Sequence, residues 1–135
     1  MAVKPQVQLF FPCANVEVNA TNNVITITNP ISTLYIPEGA PFPCSSGNLF
    51  FYVDIKGGLG KFHCRIRGRD ENRHVVVETN PIPVVFTEDN RFDGLQFAFQ
   101  FPEFEVVAAG IIEFELLVNY ALEPIATALV RYRGT

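Results

Sequence analysis

The sequence contains no tryptophan, one methionine and only 18% charged residues, below the roughly 25% that is usual in soluble domains. It also lacks any apolar run approaching the roughly 18 residues that would predict a membrane-spanning helix. Its apolar fraction is nevertheless 48%, with 13 phenylalanines. Because little polar surface is left over, we expect some apolar side chains to lie outside the core. Such a surplus is typical of a contact surface.

The N-terminus has no apolar segment of the secretory type, and the net charge of −4 gives no general attraction to nucleic acid or to an anionic membrane. The cysteines, Cys13, Cys44 and Cys64, cannot all pair with one another. Without an export signal, reduced thiols are the default state. The sequence therefore predicts a cytoplasmic protein with no nucleic-acid partner and no membrane partner.

Short runs rich in Val, Ile, Phe, Tyr and Thr alternate with turn residues at regular spacing, and helical periodicity is absent. This pattern predicts one all-β domain over residues 1–135, an antiparallel β-sandwich of eight or nine strands in the immunoglobulin-like style. The predicted strands are Val7–Cys13, Val24–Thr28, Leu49–Lys56, Lys61–Arg69, Arg73–Thr79, Ile82–Phe86, Leu95–Phe101, Ile111–Asn119 and Ile125–Tyr132.

Two connections have a distinctive composition. The stretch from Asn29 to Asn48 contains four prolines and is predicted to be a long irregular surface connection, because proline cannot donate to a β-ladder. The segment Gly57-Gly58-Leu59-Gly60 lies between two predicted strands. Its glycines can adopt positive φ, so the segment is predicted to close a hairpin.

That hairpin defines the candidate binding face. If its two strands pair across the turn, Tyr52 lies opposite Arg65 and Phe50 lies opposite Arg67, on the face away from the core. Together with His63 they form an aromatic and basic stripe that could hold a small ligand such as a sugar or an anion. Two alternatives stay open: cross-strand pairs that face solvent, and an interface with another subunit.

Metal and cofactor signals are sparse. The oxygen-rich residues Glu88, Asp89, Asn90 and Asp93 form a calcium candidate, although they lack the alternating acids of an EF-hand. No CxxC or HxxxH pair is present, so the local half-sites of structural zinc are absent. The sequence therefore predicts no metal and no other cofactor.

Catalytic motifs are also absent. There is no Gly-x-Ser-x-Gly elbow, and the glycines at 57–60 do not have the spacing of a phosphate-binding loop. Glu113 and Glu115 share one face of a predicted strand, which we interpret as a solvated face. The sequence predicts that the protein is not an enzyme, and an enzyme whose site is assembled from loops stays the second alternative.

Some predicted strands are apolar on both faces, among them Val75-Val76-Val77 and Val84-Val85-Phe86. Strands of this kind are covered on both sides, by a loop or by a partner, which favours oligomerisation. The leading hypothesis is a non-catalytic structural or protein-interaction module that self-associates or docks another protein. The alternative is a β-sandwich that binds a small ligand through Phe50, Tyr52, His63, Arg65 and Arg67.

Three further segments carry a resemblance: residues 11–18 (FPCANVEV), the proline-rich connection through Phe42-Pro43, and a closing hairpin formed by residues 110–119 (GIIEFELLVN) and 125–131 (IATALVR). Together they resemble a family of small bacterial proteins catalogued only as a domain of unknown function. The resemblance implies a bacterial, cytoplasmic β-sandwich. It brings no catalytic residues to this chain.

Overall fold

The computed structural model describes residues 2–22, 25–30, 33–36, 43–46, 49–119 and 123–134. Over these ranges the chain forms twelve β-strands and no helix, and so no helix that could span a membrane. The strands are β1 (Gln6–Val18), β2 (Ile25–Pro30), β3 (Thr33–Ile36), β4 (Cys44–Ser45), β5 (Leu49–Lys56), β6 (Gly60–Arg69), β7 (Val75–Glu78), β8 (Ile82–Phe86), β9 (Leu95–Phe101), β10 (Glu105–Val106), β11 (Gly110–Val118) and β12 (Ala126–Gly134).

The strands form two larger sheets and one small one. The first sheet has the order β2-β1-β5-β9, and the second has the order β3-β12-β11-β6-β7, with β8 also paired to β6. Strands β4 and β10 form the small sheet. The prediction of an all-β sandwich is confirmed. It is corrected in one detail, because β3 and β12 pair in parallel rather than antiparallel.

All nine predicted strands are present, and the bounds of β5, β8 and β9 agree with the prediction. Strands β3, β4 and β10 were not predicted. The prediction that the whole Asn29–Asn48 stretch is irregular is therefore wrong. Its prolines bound short strands instead of preventing them: Pro30 is the last residue of β2, and Pro43 directly precedes β4.

The core lies between the two larger sheets, and Phe51 of β5 is near its centre. The Phe51 ring centroid is 5.0 Å from that of Phe114 in β11 and 5.2 Å from that of Phe101 in β9. All three side chains are buried. The alternation of β5, β6 and β11 correctly predicted the residues that face inward, since side chains switch faces at every residue of a strand.

The glycine segment between β5 and β6 does not close a hairpin. β5 pairs with β1 and β9, whereas β6 pairs with β7, β8 and β11, so the segment carries the chain from one sheet to the other. Gly57 and Gly60 have φ values of 79° and 107°, as the turn prediction requires. Within the segment, the Leu59 and Val3 backbones form two hydrogen bonds with each other, both 2.9 Å long.

Candidate functional site

The structure divides the predicted aromatic and basic stripe between the two sheets. Phe50 and Tyr52 lie on the outer face of the first sheet, because their neighbours in β5 face the core. His63, Arg65 and Arg67 lie on the outer face of the second sheet. The outer faces of a sandwich point in opposite directions. The predicted pairing of Tyr52 with Arg65 and of Phe50 with Arg67 is therefore wrong, and the five residues do not form one surface.

The aromatic half of the stripe is packed against its own sheet. The Tyr52 ring is tilted against Phe11 of β1 at 5.5 Å between centroids, and Ala98 of β9 is its partner on the other side. Tyr52 is only 8% exposed. Burial raises the pKa of the Tyr52 hydroxyl, and the negative charge of Asp54 raises it further. Tyr52 is thus a neutral packing residue that offers little ring surface for stacking.

The basic half of the stripe is paired with carboxylates of the same sheet. The Arg65 Nη1 atom lies 2.7 Å from Glu78 Oε1, and the Arg67 Nε atom lies 3.1 Å from Glu115 Oε1. Arg67 lies directly opposite Glu115 of β11, whereas Glu78 of β7 lies opposite Arg67 and pairs with Arg65 diagonally. Because each of these two guanidinium groups already has a carboxylate partner within the fold, it is less well placed to clamp an anionic ligand.

Glu115 is the centre of this ionic network. It lies on the outer face of β11 yet is only 3% exposed, and it also forms an ion pair with Arg69, whose Nε atom lies 2.9 Å from Glu115 Oε1. Arg73 Nη2 lies 3.9 Å from the second Glu115 oxygen, and its Nη1 atom is 3.2 Å from Glu113. The interpretation of this face as solvated is wrong at Glu115, because arginines from β6 and from the following turn cover the carboxylate.

Two residues of the predicted face do share a small cavity. His63 and Arg65 line a space of about 140 Å³ together with Pro81 and Asn119. The Asn119 backbone has a φ of 56°, and its side-chain oxygen accepts a 2.9 Å hydrogen bond from the His63 backbone N–H. Ligand pockets usually enclose roughly 300 Å³ or more. The cavity is therefore small for a sugar.

The calcium candidate lies in the turn between β8 and β9. The Asn90 side-chain oxygen accepts a 2.8 Å hydrogen bond from the Thr87 backbone, and the Asp93 backbone donates to the Asn90 carbonyl at 3.1 Å. Glu88 lies 4.0 Å from Arg91. Asn90 thus shapes the turn. In the described ranges, no three of the His, Cys, Asp and Glu residues are grouped closely enough to hold a metal ion.

Two of the three cysteines are buried. Cys13 and Cys64 are free thiols with no exposed surface. Burial raises the pKa of both thiols, to about 11 for Cys64. Since the thiolate is the reactive form, both thiols are unreactive near neutral pH. The side chain of Cys44 lies outside the described part of the structure.

A further candidate site is one that the sequence did not predict. A cleft of about 470 Å³ opens between β8 and β9, where the two sheets meet at one side of the sandwich. Ile82 and Val84 of β8 form one wall, and Leu95 and Phe97 of β9 form the other. None of its nine described lining residues carries a charge. The cleft is suited to apolar groups. The cleft forms only because β8 and β9 are neighbours across the two sheets. Local sequence patterns do not specify which strands become neighbours, so the sequence did not predict it.

Strand β9 borders this cleft and, among the described residues, is the last strand of the first sheet. Its register with β5 is unbroken over seven residue pairs, from Leu49 with Phe101 to Ile55 with Leu95. Proteins usually protect edge strands with charges, prolines or bulges. β8 follows this rule with Pro83, whereas β9 (LQFAFQF) contains no charge and no proline. β9 is therefore an edge well suited to pairing with another strand.

Comparison with protein-family models finds no matching family, and no curated protein matches the chain. The resemblance to a bacterial family of unknown function stays a prediction of the sequence, as do the immunoglobulin-like style and the cytoplasmic location. The candidate site is accordingly assigned from its geometry.

Proposed function

We propose that this protein is a non-catalytic interaction module that self-associates through the cleft between β8 and β9. The observation that carries the proposal is the apolar, uncharged cleft beside an unprotected edge strand. A sheet edge supplies backbone hydrogen bonds to an added strand, and an adjacent apolar groove accepts alternate side chains of that strand. The cleft combines both features.

Polar small ligands fit the molecule less well. Sugars and anions require several convergent polar groups. The cleft offers Thr79 and Gln100 as its only polar lining side chains among the described residues. On the second sheet, Arg65 and Arg67 are already engaged by carboxylates. Within the predicted binding face, the alternative of a sugar-binding or anion-binding sandwich is left with the 140 Å³ cavity beside His63.

Catalysis has little support at the same site. The described residues that line the cleft include no Asp, Glu, His, Cys, Lys or Tyr. General acid–base catalysis draws mainly on side chains of these types, and a hydroxyl nucleophile such as that of Thr79 needs an adjacent general base, which the described lining does not supply. The geometry thus favours a binding function over an enzymatic one.

The proposal is tested by the solution mass of the protein, measured by size exclusion with light scattering across a salt series. We expect a mass above the monomer value of 15.1 kDa that persists at high salt, because apolar contacts are not screened by ions. Phe97→Lys should shift the mass to that of the monomer. The lysine stem can pack where the ring lies while its ammonium group reaches solvent through the open cleft.

Leu129→Lys is the matched control, because Leu129 is 55% exposed on the outer face of the second sheet, away from the cleft. We expect it to keep the wild-type mass. Circular dichroism checks that both variants are folded. A wild-type protein that stays monomeric at every concentration would overturn the proposal. So would a folded Phe97→Lys variant that keeps the full oligomeric mass.

A further inference from the structure

We infer that two copies of this chain pair antiparallel along β9 when they associate at the cleft, in a register centred on Ala98. This inference rests on the proposed function, since it adds the strand pairing and the register at the same site. It is carried by the sequence symmetry of β9 and by the position of that strand at the edge of its sheet.

The sequence of β9 is nearly the same in both directions from Ala98. Gln96 and Gln100 are equally distant from it, and so are Phe97 and Phe99, within the segment LQFAFQF. A two-fold axis through Ala98 would place each glutamine opposite a glutamine and each phenylalanine at these positions opposite a phenylalanine. An interface between identical chains around a two-fold axis must be self-complementary in this way.

The side chains that the two-fold axis brings together on the outer face of the sheet are compatible with each other. Gln96 and Gln100 share the outer face with Ala98, because Ala98 pairs with outward-facing Tyr52. A glutamine amide both donates and accepts hydrogen bonds, so two of them can bond to each other. Since β9 carries no charge, the two-fold arrangement brings no like charges together.

Pairing at β9 also covers apolar surface at the mouth of the cleft. Leu95 and Phe97 belong to the core-facing set of the strand, yet both are only half-buried in the single chain. In the dimer, the two four-stranded sheets join across the axis, and the core-facing side chains of each β9 adjoin those of the other copy. Each copy uses its β9 edge once, so the assembly closes as a dimer and does not extend into a fibre.

Disulfide trapping tests this register. In the proposed dimer the two Ala98 residues lie directly opposite each other, where antiparallel Cα atoms are about 4.5–5.5 Å apart. A disulfide spans Cα separations of about 4.4–6.8 Å. We expect the Ala98→Cys variant, treated with oxidised glutathione, to form a covalent dimer on a non-reducing gel. The wild-type protein, with its own three cysteines, sets the background in the same treatment.

Two further variants fix the register. The two copies of position 96 would lie about 14 Å apart, four residues along the strand, so Gln96→Cys alone should not be trapped above background. The same holds for Gln100→Cys alone. An equimolar mixture of the two variants should be trapped, because position 96 of one copy lies opposite position 100 of the other.

The outcomes separate this inference from the proposed function. One outcome would be an oligomeric wild-type protein that Phe97→Lys dissociates, together with an Ala98→Cys variant that forms no covalent dimer. This outcome would overturn the β9 register and leave the cleft as the interaction site. Trapping of Gln96→Cys alone would also overturn the register. A monomeric wild-type protein would overturn both the register and the proposed function.

Discussion

Replacing Glu115 with glutamine is expected to lower the free energy of unfolding by about 3–5 kcal/mol. The substitution keeps the size of the side chain and removes its charge. Arg67, which is only 8% exposed, then loses the negative charge 3.1 Å from its Nε atom, and Arg69 loses the same charge at 2.9 Å. A buried cation that has lost its anion still pays the cost of removal from water. The loss of stability is therefore larger than the net stabilisation that the intact ion pair provided. Urea unfolding followed by circular dichroism measures the change.

Glu113→Gln is the matched control for this prediction. Glu113 lies on the same face of the same strand, but its partner Arg73 has a side chain that is 57% exposed. Surface ion pairs contribute about 1 kcal/mol or less, so we expect a change within that range. Equal losses of stability for the two substitutions would contradict the conclusion that Glu115 holds a buried ion-pair network with Arg67 and Arg69.

Replacing Phe51 with alanine is expected to lower the free energy of unfolding by about 3–5 kcal/mol. Phe51 is fully buried, and its ring contacts Phe10 at 5.4 Å as well as Phe101 and Phe114. The substitution removes one of the ring contacts that join the two sheets and leaves a cavity in the core. The change is measured by the midpoint of chemical denaturation with the slope held constant.

The control for the Phe51→Ala substitution is Phe92→Ala. Phe92 is 72% exposed and contacts the Arg91 guanidinium at 4.8 Å. An exposed cation–π contact contributes about 0.5–1 kcal/mol, so the loss should not exceed that range. If Phe51→Ala costs no more than Phe92→Ala, the two sheets are not packed around Phe51.

The sequence predicts the strands of this fold well and their partners poorly. Alternation alone placed Phe51 and Phe114 in the core, because the side-chain period of a strand is a local property. Pairing depends on backbone groups that are the same for every residue, so the pattern could not show that β5 and β6 lie in different sheets. The predicted aromatic and basic face was wrong for this reason alone.

The burial of Glu115 and the cleft beside β9 were missed for related reasons. Glu115 alternates with apolar residues, which is typical of a solvated face. Its main partner, Arg67, is 48 residues away in the chain and becomes adjacent only when β6 pairs with β11. The cleft exists because β8 and β9 both lie at the edges of their sheets. The symmetry of β9 around Ala98 is present in the sequence, but an uncharged strand does not signal an edge, because edge strands usually carry charges or prolines.

Hydrogen exchange of the β9 amides gives the most direct test that this edge is the association surface. Exchange is measured by mass spectrometry at low and high protein concentration, and β7 (Val75–Glu78), a second edge strand, serves as the internal reference. We expect peptides covering Leu95–Phe101 to exchange more slowly at high concentration, while those covering β7 stay unchanged. Exchange of β9 that is the same at every concentration would contradict the account.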